Sequence, residues 1–177
     1  IALCDAGTGI GKTYAYLAAG TVYHRFRAAS GLPVRPILIS TSSIALQTAA
    51  RDEYLPLLSS LLAEDGMITQ PLQAVIRKGS PTMSAMTVWN GGWASWISEE
   101  KLEGREALLA LRNELDMDEI AHLSHYDRER VCVPQICNCS QETCRYRFFL
   151  EKCDSGRYLF QICNHNLLLA DAIHRGS

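Results

Sequence analysis

Lys12 to about Ser30 carries Tyr16, Leu17, Val22, Tyr23 and Phe26 at helical spacing, and the pattern predicts a helix that Gly31-Leu32-Pro33 stops. Ahead of it, the apolar run from Ile1 reads as a strand. PILIS at 36–40 is short, rich in branched residues and bounded by Pro33 and by Ser/Thr, which predicts a buried strand. From Ser43 to about Ala63, Ile44, Leu46, Ala50, Tyr54, Leu57, Leu58 and Leu61 recur at helical spacing, with Pro56 expected to break the helix in two. QAVIRK at 73–78 is a further strand. Strand, helix, strand, helix, strand is the order of a parallel sheet covered by helices.

Residues 80–157 leave that rhythm. SPTMSAMTVWNGGWASW has no clean period and holds Trp89, Trp93 and Trp96, so it reads as a loop or an irregular packed segment. Ser98, Glu99 and Glu100 can start a helix whose apolar face is Leu102, Leu108, Leu109, Leu111 and Leu115. Asp116 and Glu119 then stand at capping-box spacing before Ile120 and Leu123, predicting a second short helix. A strand-like run returns at 158–166, followed by the helical LLLADAIHR. The expected division is therefore 1–79 and 158–177 as one α/β domain, with 80–157 as a helical insertion. Ile1 begins inside a strand and Gly176-Ser177 closes no unit, so the chain reads as a piece of a longer polypeptide.

Composition narrows the class of protein. With 47% hydrophobic and 20% charged residues and a formal net charge of -2, the 177 residues describe a globular chain that is neither disordered nor basic overall. A polyanion would have to be held by a local patch, with affinity falling steeply in salt. No apolar run reaches the roughly 20 residues of a membrane span, and no signal peptide is apparent, so a cytoplasmic location is expected. Six of the seven cysteines crowd between Cys132 and Cys163, which in a reducing compartment points to metal ligands or their remnant rather than to disulfides.

The chemistry concentrates in Ala6-Gly7-Thr8-Gly9-Ile10-Gly11-Lys12-Thr13, which matches the phosphate-binding loop with alanine at its first glycine position. Successive backbone amides curl around an anion only where the chain takes φ > 0, which glycine permits, and the next helix points its positive end at the same spot. Lys12 then reaches the β- and γ-phosphates of ATP, and the Thr13 hydroxyl ligates Mg²⁺. Asp5 reads as a turn residue and Cys4 as core.

DAGTGIGKTYAYL resembles the first motif of the DinG and XPD group of superfamily 2 DNA helicases. LISTSSIALQ at 38–47 resembles that group's next motif, and CRYRFFLEKC with CNHNLLLAD resembles the stretch that closes its cysteine-bearing insertion. Within the group, DAGTGIGKTYAYLAAG together with CNHNLLLADAIHR looks most like the DinG-like helicases of type IV CRISPR systems. The resemblance implies a RecA-like lobe, mostly parallel with helices on both faces, in an ATP-driven enzyme moving 5′ to 3′ on single-stranded DNA beside an RNA-guided CRISPR complex. It also implies that Gly7, Gly9, Gly11, Lys12 and Thr13 form the nucleotide site, and that Thr41, Ser42 and Gln47 contact the DNA backbone. The plainer reading makes Thr41 a helix cap and Gln47 a solvated surface residue.

The group's pattern fails in the insertion. Its iron-sulfur site uses four cysteine thiolates, the first just after a strand ending in lysine-glycine. Here Lys78-Gly79 is followed by Ser80-Pro81-Thr82-Met83. Cys132, Cys137, Cys139, Cys144 and Cys153 could still supply four thiolates to a cluster or to zinc, with Cys132, Cys137, Cys144 and Cys153 the candidate set. Their spacing matches neither pattern, and the expectation is a vestigial insertion with free, partly buried thiols. Asp118-Glu119-Ile120-Ala121-His122 resembles a DEAH box with one residue too many but falls on a short helix, so the acidic motif is expected beyond Ser177 and this piece alone is expected to be inactive. Arg128, Arg130, Arg145, Arg147, Lys152 and Arg157 interleave with Tyr126, Tyr146, Phe148, Phe149 and Tyr158, either as a face for single-stranded nucleic acid, with Arg145 and Arg147 its candidate contacts, or as the insertion's own packing. His165 reads as structural. A reading of another class makes the chain a nucleic-acid- or partner-binding module with an inert loop.

Overall fold

The computed structural model describes residues 7, 9–84, 105–111, 113–134 and 144–175. In chain order its elements are α1 (Lys12–Ala29), β1 (Ile37–Thr41), α2 (Ile44–Ala49), a π-helical turn (Ala50–Tyr54), α3 (Leu55–Glu64) and β2 (Ala74–Ile76). Then come α4 (Arg105–Ala110), α5 (His125–Val131), α6 (Arg145–Asp154), β3 (Phe160–Asn164) and α7 (His165–Arg175). Contacts divide the chain into two compact units, Ile1–Arg77 with Ser155–Ser177, and Lys78–Asp154. The expected strand at Ile1, the three tryptophans and the helix start at Ser98 lie outside the described residues.

The first unit is an α/β layer built on a three-stranded parallel sheet of order β1-β3-β2, so the last strand in sequence is central. Ile39 and Ile76 both stand opposite Ile162 in register. Alternation along the strands then sends Ile37, Ile39, Ile76, Phe160 and Ile162 to one face, where they meet Leu17 of α1, Ala50 of the π turn, and Leu55 and Leu58 of α3. The opposite face is polar at its centre. Buried Gln161 accepts from Arg77 at 3.1 Å, Arg77 pairs with Asp171 of α7 at 3.7 Å, and Ser40 meets His165.

Four expectations need correction in this unit and its neighbour. The face of α1 that packs is not the one with the large residues: Leu17 and Thr21 are buried, while Val22, Tyr23 and Phe26 are exposed. The reason is Gly20, whose missing side chain lets the helix sit against Ile37 and Phe160; a Cβ there would lie 2.9 Å and 3.1 Å from them. Thr21 tolerates burial because its hydroxyl donates to the Leu17 carbonyl at 2.9 Å. Pro56 does not split its helix. The turn before it widens, with Leu55 N-H donating to the Ala50 carbonyl, and one continuous run of helical backbone absorbs the missing proline donor.

In the second unit, α4 ends at Ala110, whose carbonyl accepts from both Asn113 and Glu114, rather than running on to Leu115. Leu109, expected on its apolar face, is exposed, and the helix contributes Ala107 to the core. The expected helix after Asp116 is only a 3-10 turn, Met117–Glu119, because the Asp116 carboxylate accepts from Asp118 N-H and holds a tighter turn. Ala107, Leu111, Met117, Ile120, Leu123 and Val131 form the main cluster, and Met83 with Val133 forms a second against Tyr146 and Phe149. Ser124 caps α5, accepting from Asp127 N-H at 3.1 Å and donating to its carboxylate at 2.8 Å. No helix among the described residues is long and apolar enough to cross a membrane.

Candidate phosphate-binding loop and strand-end cleft

Gly9 and Gly11 both adopt left-handed backbone angles, φ 77° and 79°. Nothing lies within 4 Å of where their side chains would be, so the backbone angle rather than crowding makes glycine necessary. Lys12 opens α1, no side chain caps the helix, and the Gly11 carbonyl accepts from Ala15 N-H to close the first turn. The positive end of an 18-residue helix thus faces the bend. Lys12 Nζ donates to the Gly7 carbonyl at 2.7 Å, folding its charge over the loop. Thr13, next in the helix, is half-buried and Ile10 is exposed. Ala6, Thr8, Asp5 and Cys4 lie outside the described residues.

A cleft of about 450 Å³ runs along β1 from Ile37, walled by Tyr16, Leu46 and His165, and reaches Thr41 and Ser42 at the carboxyl end of the sheet. Parallel sheets place their ligand crevices at this end of the strands. Ser40 Oγ and His165 Nδ1 are 2.7 Å apart, which ties the end of β1 to the start of α7. Asn164 caps α7 by accepting from Leu167 N-H at 2.6 Å. Thr41 Oγ1 accepts from Ser43 N-H, while Ser43, not Thr41, caps α2 through Leu46 N-H. Gln47 is only 2% exposed, so it is neither a solvated surface residue nor open to the expected contact with a DNA backbone, and its amide nitrogen has no acceptor among the described residues. Burial pushes the Cys163 thiol up, although Ser40 hydrogen-bonds to it, so the thiolate is disfavoured there.

The candidates of the second unit separate into different roles. Arg145 donates to the Leu111 carbonyl at 3.0 Å and Arg147 forms a surface pair with Glu151 at 3.4 Å. Phe149 stacks on Tyr146 in the small cluster, whereas Phe148 is exposed. Arg130 lies 4.4 Å over the Tyr126 ring. Asp118 is held by Lys78 at 2.5 Å and Arg128 at 2.8 Å, which makes it part of an ion-pair network on a turn. Cys132 donates to the Glu129 carbonyl at 3.3 Å, Cys144 is half-buried and Cys153 fully buried. Among the described residues no three His, Cys, Asp or Glu side chains are grouped to hold a metal; Cys137 and Cys139 lie outside them.

No family model, curated protein or solved structure matches the chain. The cleft residues that sequence reasoning passed over are Ser40 and Tyr16, while His165, read as structural, also lines the cleft. The legible signal was NHN at the end of a strand, since polar residues at the carboxyl ends of parallel strands line the crevice.

Proposed function

We propose that this chain is the nucleotide-binding part of a RecA-like lobe in an ATP-dependent DNA helicase of the DinG and XPD type. The observation that carries the reading is the pair of left-handed glycines, Gly9 and Gly11, set immediately before a long helix that begins on Lys12. That combination aims backbone amides, a helix dipole and an ammonium at one point, the electrostatics a nucleoside triphosphate needs. Lys12 exchanges the Gly7 carbonyl for a phosphate oxygen and stabilises the charge that develops there. Mg²⁺, when bound, supplies further neutralisation of the phosphates, and the Thr13 hydroxyl is the group here that fits it. Thr41 and Ser42, in the strand-end cleft, position a single-stranded DNA backbone without reading bases. The finer reading, a DinG-like helicase of type IV CRISPR systems moving 5′ to 3′ with an RNA-guided complex as partner, rests on the sequence resemblance.

Lys12→Ala in the full-length protein tests the proposal. Lys12 is exposed, so the variant folds as the wild type does by circular dichroism. ATP turnover and unwinding are expected to fall by about 100-fold or more, the size of effect seen when a preorganised charge partner is removed. Unchanged activity overturns the motor and leaves a binding module with an inert loop.

A further inference from the structure

The large side chains that α1 turns outward lie beside a groove of about 680 Å³, whose walls include Ala19, Gly20, Tyr23, Arg27, Arg35 and Pro36. It sits at the far end of the helix from the phosphate loop. At 1.5 Å rise per residue, Tyr23 and Arg27 are about 16 and 22 Å along the axis from Lys12. Phe26 is 63% exposed, and Val22, Tyr23, Leu32 and Val34 on the neighbouring surface are exposed as well. A contiguous exposed apolar surface of this kind marks an interaction site.

Charge says what covers it. Between residues 6 and 51 the sequence has no Asp or Glu and five Lys or Arg, in a chain whose net charge is -2. Arg35, in the groove wall, is exposed and has no acidic partner among the described residues. The half-charge of the α1 carboxyl end is negative, but the two guanidiniums that line the groove, Arg27 and Arg35, outweigh it. We infer that this groove docks an amphipathic acidic segment of a partner protein, apolar side chains seated on Tyr23 in the groove and on Phe26 beside it, and carboxylates on Arg27 and Arg35. Nucleic acid fits less well. Val22, Leu32 and Val34 are aliphatic, and Arg27 already engages Tyr23, lying 5.7 Å from its ring centroid and donating to its hydroxyl at 3.2 Å. Complementary charge of this sort sets partner choice and association rate, while the buried apolar anchors hold the complex.

The probe is a fluorescein-labelled amphipathic peptide of leucine, phenylalanine and glutamate, titrated against the full-length protein by anisotropy, beside the same peptide with lysine for glutamate and beside oligo-dT. The acidic peptide is expected to bind, more weakly at high salt, and Arg35→Glu with Phe26→Ser is expected to weaken it about tenfold or more. Lys12→Ala leaves this binding unchanged, which separates the groove from the nucleotide site. Arg35→Glu alone serves as a second variant if the double substitution loses the wild-type circular dichroism. The inference is overturned if the variants bind the acidic peptide as wild type does, if the basic peptide binds equally well, or if oligo-dT binding is what the groove substitutions abolish.

Discussion

Lys78 is 9% exposed and faces two carboxylates, Asp116 at 3.2 Å and Asp118 at 2.5 Å, which titrate in opposite senses. Burial raises Asp116 above the ordinary carboxylate range, more than Asp118 N-H and Lys78 lower it. At Asp118 burial also works upward, but hydrogen bonds from Lys78 and Arg128 outweigh it and hold the group below that range. A depressed carboxyl contributes stability that is present above the unfolded value and is lost as pH falls through the folded one. Asp116 contributes in reverse, its share lost as pH rises through its raised value. Asp118→Asn is therefore expected to lower stability at neutral pH, with the gap from wild type closing as acid protonates the native carboxylate. Urea unfolding across a pH series checks this, and a gap that persists unchanged into acid contradicts it. The same residue shows a limit of motif reading: Asp118-Glu119 looks like part of a catalytic string, but its hydrogen bonds reveal a structural ion pair.

At the scale of the element, α1 shows why helical periodicity misleads. Tyr16, Val22, Tyr23 and Phe26 have the right spacing for a buried stripe, yet the packed residues are Leu17 and Thr21 beside Gly20. Close approach of helix to strand rewarded the absence of a side chain more than the presence of large ones. Gly20→Val is expected to destabilise the protein by about 1–3 kcal/mol, the usual cost of overpacking, because Phe160 is fully buried and has no room to yield. Chemical denaturation measures it, and a variant as stable as wild type would show that α1 shifts outward freely. The run from Ile44 to Glu64 teaches a related lesson, since a single π turn reconciles Pro56 with a continuous helix.

Across the whole molecule, charge is divided unevenly. Ile1–Arg77 with Ser155–Ser177 carries 8 Lys/Arg against 6 Asp/Glu, and Lys78–Asp154 carries 9 against 13. The proposed DNA contacts Thr41 and Ser42 belong to the first of these, so binding of oligo-dT should rest on a few local phosphate contacts. Because those contacts are neutral hydroxyls that displace few counterions, its affinity is expected to fall by less than about threefold between 50 and 200 mM salt, below the response of even one neutralised phosphate on a single strand. Fluorescence titration at stepped salt reads the slope, and a steep response would mean that Lys or Arg side chains, not the Thr41 and Ser42 hydroxyls, hold the phosphates.

The strands at 36–40, 73–78 and 158–166, the helix after Lys12 and the glycine bend were legible in the sequence, because each depends on local chemistry: branched residues for strands, spacing for helices, positive φ for Gly9 and Gly11. The order β1-β3-β2, the outward turn of Tyr23 and Phe26, the burial of Gln47 and the joining of Ser40 to His165 were decided only by tertiary structure. Those features depend on which residues meet across long stretches of chain, as Ala74 does with Phe160 and Ser40 with His165. Pairing at that distance is set by the competition of all surfaces to pack, and no local pattern encodes its outcome.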